Sequence, residues 1–310
     1  MNKLRISLFG KFQTRFGESA LTALDGPKVQ ALLCYLLLYP ERPHSREVLA
    51  NLLWDDASAA GSKGYLRKAL WQIQTELNKY ADFTNGNILQ IDSEWIQINK
   101  DAVFWLDVAV FEKAFTLTKD IPGWSLTPPT AQELHAAVDL YTGELLECGY
   151  QDWCLYERTR FRHMYLIMLD KLMDYCTANN EFENGLIYGM RILRYDQARE
   201  RTHRRLMRLH YLAHNRTDAL RQYAQCAEIL EKELGVQPAR STTELYHQIQ
   251  ADQLTPSNLQ MFTQHTEPQT AVLPFNDSII LLQKLQQELS LVQQEIQQGI
   301  KTAEILLHNI

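Results

Sequence analysis

The sequence predicts a mainly α protein. It should begin with a winged helix-turn-helix and small β-sheets, continue as an all-α tetratricopeptide-like repeat domain, and end in a C-terminal heptad helix. Apolar residues alternate in the first strand, residues 181–234 repeat at an offset of about 34 residues, and the last segment has an apolar seam at spacings of three and four. The expected boundaries are 1–100 and 101–254 for the domains, 255–274 for a linker and 275–310 for the last helix.

The first hundred residues alternate between strand and helix signals. Apolar and polar residues alternate over 4–8, as in a half-buried strand, and Pro27 is a favourable first residue of a helix. A second helix follows Ser45, and a third carries a clean apolar stripe from 66 to 77. Two alternating segments then flank 92–94, as in a β-hairpin. Strands, three helices and a terminal hairpin in this order are typical of a winged helix-turn-helix.

The third helix is the candidate DNA-recognition helix of such a fold. Arg and Lys can bond phosphates or guanine edges, and Gln can bond adenine in the major groove. A solvated helix face that contacts nothing is the alternative interpretation. Residues at the start of the second helix are also candidates, because that helix crosses the DNA backbone. For Arg46 a partner within its own helix, such as Glu47, is an equal alternative, and His44 could be an ordinary loop residue. The candidate DNA-binding residues are Arg42, His44, Arg46, Lys63, Arg67, Lys68, Trp71 and Gln74.

Two copies of a helical hairpin are recognisable between 172 and 234. Small residues fall where the two helices of each hairpin should approach closely, and we expect Ala219 and Ala224 to be buried there. Stacked repeats present a concave surface that binds partners. The arginine run from 199 to 208 is either the polar outer face of a hairpin or a docking site for an acidic segment. The aligned pairs are Gly185 with Ala219, Met190 with Ala224, Leu193 with Ala227, Leu172 with Leu206 and Met173 with Met207.

The last segment repeats apolar residues in heptads. This seam predicts a coiled coil and therefore a homodimer. The alternative is an amphipathic helix that folds back on its own repeat domain, because Gly299 weakens a long zipper. The candidate oligomerisation residues are Leu282, Leu285, Leu289, Val292 and Ile296.

Composition and missing motifs argue against several other classes. The net charge of −6 argues against a general nucleic-acid-coating protein, although one domain can still carry a basic face. No apolar run is long enough to predict a membrane span, and the N-terminus does not resemble a signal peptide. Five cysteines without a CxxC pair favour buried thiols in a reducing cytoplasm. No metal-ligand, P-loop or catalytic motif occurs, so we expect no metal, no cofactor and no enzyme.

Several strings resemble one known family when they are taken in order. They are LRISLFGKF at 4–12, RPHSRE at 42–47, LRKAL at 66–70, WLDVA at 105–109, YTGELL at 141–146 and ELGVQP at 233–238. Over about residues 3–250 the chain is similar to the SARP-type bacterial transcriptional activators. The resemblance implies an OmpR-like winged helix that reads promoter DNA. It also implies a bacterial transcriptional activator domain that serves oligomerisation, signal input or contact with RNA polymerase.

Two departures from the family pattern affect the expected function. Trp71, Gln72 and Gln74 stand where relatives often carry basic residues, and the wing tip at 92–94 is acidic. Because phosphate contacts dominate DNA affinity, we expect weak binding per monomer. Either a dimer compensates this weakness, or the domain has lost DNA binding.

Two functions therefore remain open from the sequence. The first is a cytoplasmic, sequence-specific regulator that binds promoter duplex DNA and contacts RNA polymerase or another regulatory protein through its repeats. The second is an adaptor or scaffold without DNA binding, which acts through the repeat groove and the C-terminal helix. A continuous basic face on the third helix and wing favours the first, whereas projecting Asp92 and Glu94 favour the second.

Overall fold

The computed structural model describes residues 3–55, 57–147 and 151–254. Seven strands in this part of the chain form two small sheets, and ten α-helices make up most of the rest, so the predicted mainly α fold class is confirmed. The predicted C-terminal heptad helix and its linker lie outside the described residues. The strands are β1 (Leu4–Ser7), β2 (Gln13–Phe16), β3 (Ser19–Ala20), β4 (His44–Ser45), β5 (Leu89–Ile91), β6 (Trp95–Ile98) and β7 (Trp105–Leu106).

The helices begin and end where local chemistry favours it. Pro27 occupies the first turn of the first helix, and the Thr127 hydroxyl caps the fifth by accepting from the backbone N–H of Thr130. The ninth helix ends at Gly235, whose φ of 65° lies in the left-handed region that glycine adopts without strain. The helices are α1 (Pro27–Leu38), α2 (Arg46–Leu53), α3 (Ala59–Leu77), α4 (Asp107–Thr118), α5 (Pro128–Leu140), α6 (Asp152–Ala178), α7 (Phe182–Leu193), α8 (Glu200–Leu212), α9 (Arg216–Leu234) and α10 (Arg240–Gln250).

The first domain has the predicted winged-helix order. The N-terminal sheet has the strand order β3-β2-β1-β7, and the second sheet has the order β4-β6-β5. β5 and β6 form the predicted hairpin, hereafter the wing, with Ile91 opposite Ile96. Short β4 pairs with β6 and brings the start of α2 beside the wing. Helices α1, α2 and α3 pack against one another, and α1 also contacts β6.

β7 connects the N-terminal sheet to the helical part of the chain. It runs parallel to β1, with Arg5 opposite Trp105. Directly after it, the carboxylate of Asp107 accepts hydrogen bonds from the backbone N–H groups of Leu8 at 2.8 Å and Phe9 at 3.0 Å. Residues on either side of the expected boundary at 100 therefore share one sheet. That boundary stays a prediction, because residues 1–251 form one compact unit.

An aromatic cluster continues this shared core. The ring of Phe9 lies 5.1 Å from that of Phe111, 4.9 Å from that of Tyr141 and 5.3 Å from that of Phe161, measured between ring centroids. These partners belong to α4, the end of α5 and α6. Aromatic pairs at these distances add to the stability that apolar burial provides.

The helical repeat is present, but one of its predicted contacts is wrong. Leu172, Met173, Leu206, Met207 and Ala219 are all buried, as the offset of about 34 residues predicts. Ala224, however, is exposed. The buried residues of α9 are Ala219, Cys226 and Leu230, so position 224, two residues from Cys226, points away from the helix pair. Met190, its equivalent in α7, is 61% exposed for the same reason.

The close helix approach occurs at Gly189 instead. A Cβ at this position would lie 2.5 Å from Cδ2 of Leu206 and 2.9 Å from Cε of Met173. The absence of a side chain therefore lets α7 lie directly against α8 and α6. The offset correctly predicted which helices pair, but not the rotation of each helix about its axis.

The arginine run on and before α8 mostly ties helices of the repeat together. Arg205 forms ion pairs with Asp170 at 2.6 Å and with Asp174 on α6, and Arg199 also pairs with Asp170 at 2.7 Å. Arg204 donates to the hydroxyl of Thr242 on α10. These side chains are thus used within the fold rather than presented on an outer face.

The sequence also predicted buried thiols and no membrane-spanning helix. Cys34, Cys154, Cys176 and Cys226 are buried free thiols. Among the described helices, none is both long and apolar enough to cross a bilayer.

Candidate nucleic-acid interface

Helix α3 presents one face to the core and the opposite face to solvent. Leu66, Leu70, Ile73 and Leu77 are buried, as their spacing predicts. The Ser58 hydroxyl caps the helix by accepting from the backbone N–H of Gly61. The solvent-facing surface, hereafter the outward face of α3, consists of Gly64, Arg67, Lys68, Trp71 and Thr75.

The side chains of the outward face differ in their environment from the other candidates on this helix. Trp71 is 66% exposed, and Arg67 and Lys68 are exposed beside it. Gln74 is half-buried at the edge of the face. Lys63 forms a 3.0 Å ion pair with Glu47 at the start of α2, so its charge is partly compensated.

A groove of about 660 Å³ lies between the starts of α2 and α3 and the wing. It brings together three of the predicted basic residues and also two carboxylates, so its charge is mixed rather than continuously basic. Its lining residues are Ser45, Arg46, Glu47, Lys63, Leu66, Arg67, Ser93, Glu94 and Trp95. Arg42, Lys68, Trp71 and Gln74 lie outside this lining.

Arg46 holds the wing against the start of α2. Its backbone N–H donates to the carbonyl of Glu94 at 2.9 Å, and its Nη1 donates to the carbonyl of Asp92 at 3.0 Å. This partner is neither a phosphate nor the neighbouring Glu47 that the sequence left open. Arg46 thus links α2 to the wing, and its side chain also lines the groove.

The position of His44 contradicts its prediction as a DNA-binding residue. Its side chain is buried, and its Nε2 donates to the carbonyl of Tyr39 at 2.9 Å. Burial lowers the pKa of His44, which favours the neutral ring. In β4 the side chain points into the core of the winged helix, so it is not placed to contact DNA. Arg42, two residues earlier, is exposed.

The two acidic residues of the wing have different roles. Oδ1 of Asp92 accepts from the backbone N–H groups of Glu94 at 2.8 Å and Trp95 at 2.6 Å, and these bonds hold the pKa of Asp92 below its ordinary value. Asp92 therefore closes the turn of the wing. Glu94 is exposed and lines the groove. An Asp side chain commonly accepts from the backbone N–H two residues later and so forms a turn. This role of Asp92 could therefore have been predicted from the sequence.

Comparisons with known proteins agree with this architecture. Residues 106–250 match the family model of the bacterial transcriptional activator domain. The fold is similar to that of Mycobacterium tuberculosis EmbR in complex with a low-affinity phosphopeptide, with a TM-score of 0.67 and 16% identity. The match covers 84% of this chain and 68% of that one, and at this identity it concerns the fold. The sequence has no significant match among curated proteins.

The matched domain covers α4 to α10, and the winged helix precedes it as the resemblance in the sequence implied. Residues 106–250 therefore carry a bacterial transcriptional activator domain, the domain that the resemblance to SARP-type regulators implied.

Proposed function

We propose that the chain binds duplex DNA sequence-specifically, with the outward face of α3 in the major groove and the wing beside it. One observation carries this proposal. Arg67 and Lys68 are exposed next to each other on α3, and neither forms an ion pair with any described residue. The cations available to a phosphate or a guanine edge thus lie on the helix that docks in helix-turn-helix proteins.

The mixed charge of the groove sets the expected strength of binding. Glu47 compensates Lys63, and Glu94 lines the same groove as Arg67. Each winged helix therefore contributes few phosphate contacts, and the affinity of one copy should be low and sensitive to salt. A promoter-binding function places the protein in the cytoplasm of a bacterial cell.

Selection of bound sequences from a random duplex pool tests DNA binding directly. We expect enrichment of a direct-repeat site. On that site, Arg67→Ala should cost about 1–3 kcal/mol and relax selection at one base pair. Arg15→Ala is the matched control, because Arg15 is an exposed arginine on β2 that does not belong to α3 or to the lining of the groove. Equal binding of specific and random duplexes by the wild type and Arg67→Ala would contradict the proposal.

We further propose that two copies act together through the C-terminal segment. Leu282, Leu285, Leu289, Val292 and Ile296 lie outside the described residues, so this proposal depends on the sequence alone. Two tethered winged helices would gain effective concentration on a repeated site, which compensates weak binding by each.

Sedimentation of the intact chain and of a chain that ends at Leu254 tests the dimer. A dimer that becomes a monomer on truncation is the expected result. A monomer in both cases would exclude the zipper, and a dimer in both would move the interface into the preceding domains.

The activator domain offers a second surface, on which the adaptor alternative depends. A groove of about 500 Å³ runs between α7 and α9, and exposed Met190 lies in its lining with Arg194 and Arg221. Flexible apolar side chains next to charges suit a protein partner such as RNA polymerase or another regulator. If no duplex is selected, while Met190→Glu abolishes binding to RNA polymerase, the chain is an adaptor.

A further inference from the structure

Trp71 occupies the centre of the outward face of α3 without serving the core. It is 66% exposed, whereas Leu70 and Ile73 beside it are buried and supply the packing of the helix. An indole offers a broad apolar surface and a single N–H donor. The exposed indole is thus available to pack against a ligand that approaches the outward face of α3.

We propose that Trp71 contacts the 5-methyl group of a thymine in the major groove and makes that thymine part of the recognised site. The proposal rests on the proposed function, because it concerns the same helix and the same ligand. Base edges in the major groove present hydrogen-bonding groups and one apolar group, the thymine methyl. The apolar face of an indole at the centre of a docking helix therefore has one matching feature on the floor of the groove.

The spacing on the helix indicates where this thymine should lie. Trp71 follows Arg67 by four residues, which is about 6 Å along an α-helix. Successive base pairs are about 3.4 Å apart along a strand, so the thymine should lie roughly two base pairs from the base pair that Arg67 contacts. Gly64 lies on the same face with nothing within 4 Å of its Cβ position, which lets the helix backbone approach the DNA closely.

A contact from the indole N–H to a phosphate would be a different use of Trp71. Such a contact would add affinity to every duplex and would not depend on the thymine methyl. Removing the methyl alone therefore separates the two roles. Deoxyuridine is thymidine without this methyl and keeps the same hydrogen-bonding groups.

The experiment measures binding to the selected duplex after each thymine is replaced, one at a time, by deoxyuridine. We expect one position at which the wild type loses about fourfold in affinity, the equivalent of one buried methyl-sized group. Trp71→Ala should bind the thymine duplex more weakly and lose nothing more at that position. Trp71→Gln should do the same, and helix content measured by circular dichroism checks that both variants fold.

Tyr65→Ala is the matched control. Tyr65 is 54% exposed on the same helix, but it points to a different side from Trp71, so its removal should leave the deoxyuridine effect unchanged. Loss of the effect in this variant would contradict the proposal, as would an unchanged effect in Trp71→Ala. A selected duplex with no sensitive thymine would overturn the methyl contact but leave DNA binding standing. Failure to select any duplex would overturn the proposed function and this inference together.

Discussion

The hydroxyl of Tyr39 donates a 2.7 Å hydrogen bond to Oε1 of Glu157, and this bond joins the end of α1 to α6 in the activator domain. Glu157 is buried, and its second oxygen accepts from Nε of Arg160 at 2.6 Å. The carbonyl of Tyr39 accepts from His44 in β4, which pairs with the wing. One tyrosine thus connects the activator domain to the sheet that contains the wing.

Tyr39→Phe should destabilise the protein by about 1.5–3 kcal/mol, because a hydrogen bond to a buried charged group is lost. Urea unfolding of the wild type and the variant measures the difference. Tyr156→Phe is the control, since that tyrosine is exposed on the same helix α6 and should change stability by less than about 0.5 kcal/mol. Equal losses in the two variants would show that the Tyr39–Glu157 bond has no special role.

Gly189→Ala should destabilise the repeat by about 1–3 kcal/mol, because the added Cβ overpacks the contact with Leu206. Gly64→Ala provides the opposite case. Its Cβ would enter open space, so better helix propensity should stabilise α3 by about 0.5–1 kcal/mol. Thermal unfolding of both variants compares them. If Gly189→Ala melts at or above the temperature of the parent, the approach of α7 to α8 is looser in solution.

Asp107 predicts a specific pH dependence of stability. Burial raises the pKa of this carboxyl from its ordinary value of 3.8 to about 6, against the opposing effect of the backbone N–H groups that it accepts from. Between these two values the folded state binds the proton more tightly than the unfolded state. The contribution of Asp107 to stability therefore falls as pH rises from about 4 to 6, and the full penalty remains above pH 6.

Asp107→Asn removes the titrating carboxyl, so a comparison with the wild type measures its contribution to stability. The free energy of unfolding of the wild type, taken relative to that of the variant, should fall by roughly 2–3 kcal/mol between pH 4 and pH 7. Other groups titrate alike in both proteins and cancel in the difference. A difference that stays constant over this range would place the pKa of Asp107 near its ordinary value.

Glu94→Gln should strengthen DNA binding. Glu94 is exposed and lines the same groove as Arg67, so its charge repels the phosphates that the groove would approach. A several-fold gain in affinity at low salt is expected, and it should shrink at high salt as the charges are screened. Fluorescence anisotropy with the selected duplex measures both. Glu18→Gln is the control, because Glu18 is exposed in the turn between β2 and β3 and should leave the affinity unchanged.

Periodicity made the orientation of α3 predictable. The stripe of Leu66, Leu70, Ile73 and Leu77 determines which face of α3 is buried, and therefore that Arg67 and Trp71 are exposed. The repeat offset likewise identified Leu172 and Leu206 as equivalent buried residues. Both inferences need only the geometry of a single helix or of a repeated unit, which the sequence contains.

The sequence by itself therefore determined the mainly α class, the order of elements and the exposed face of α3. Only the tertiary structure decided which polar groups are used internally. The buried ring of His44 donates to the carbonyl of Tyr39. The carboxylate of Asp107 accepts from backbone N–H groups that are 98 and 99 residues away in sequence. Ala224 points outward although its repeat position was right. Such contacts depend on how helices rotate and pack across long separations in sequence, and local spacing does not encode that rotation.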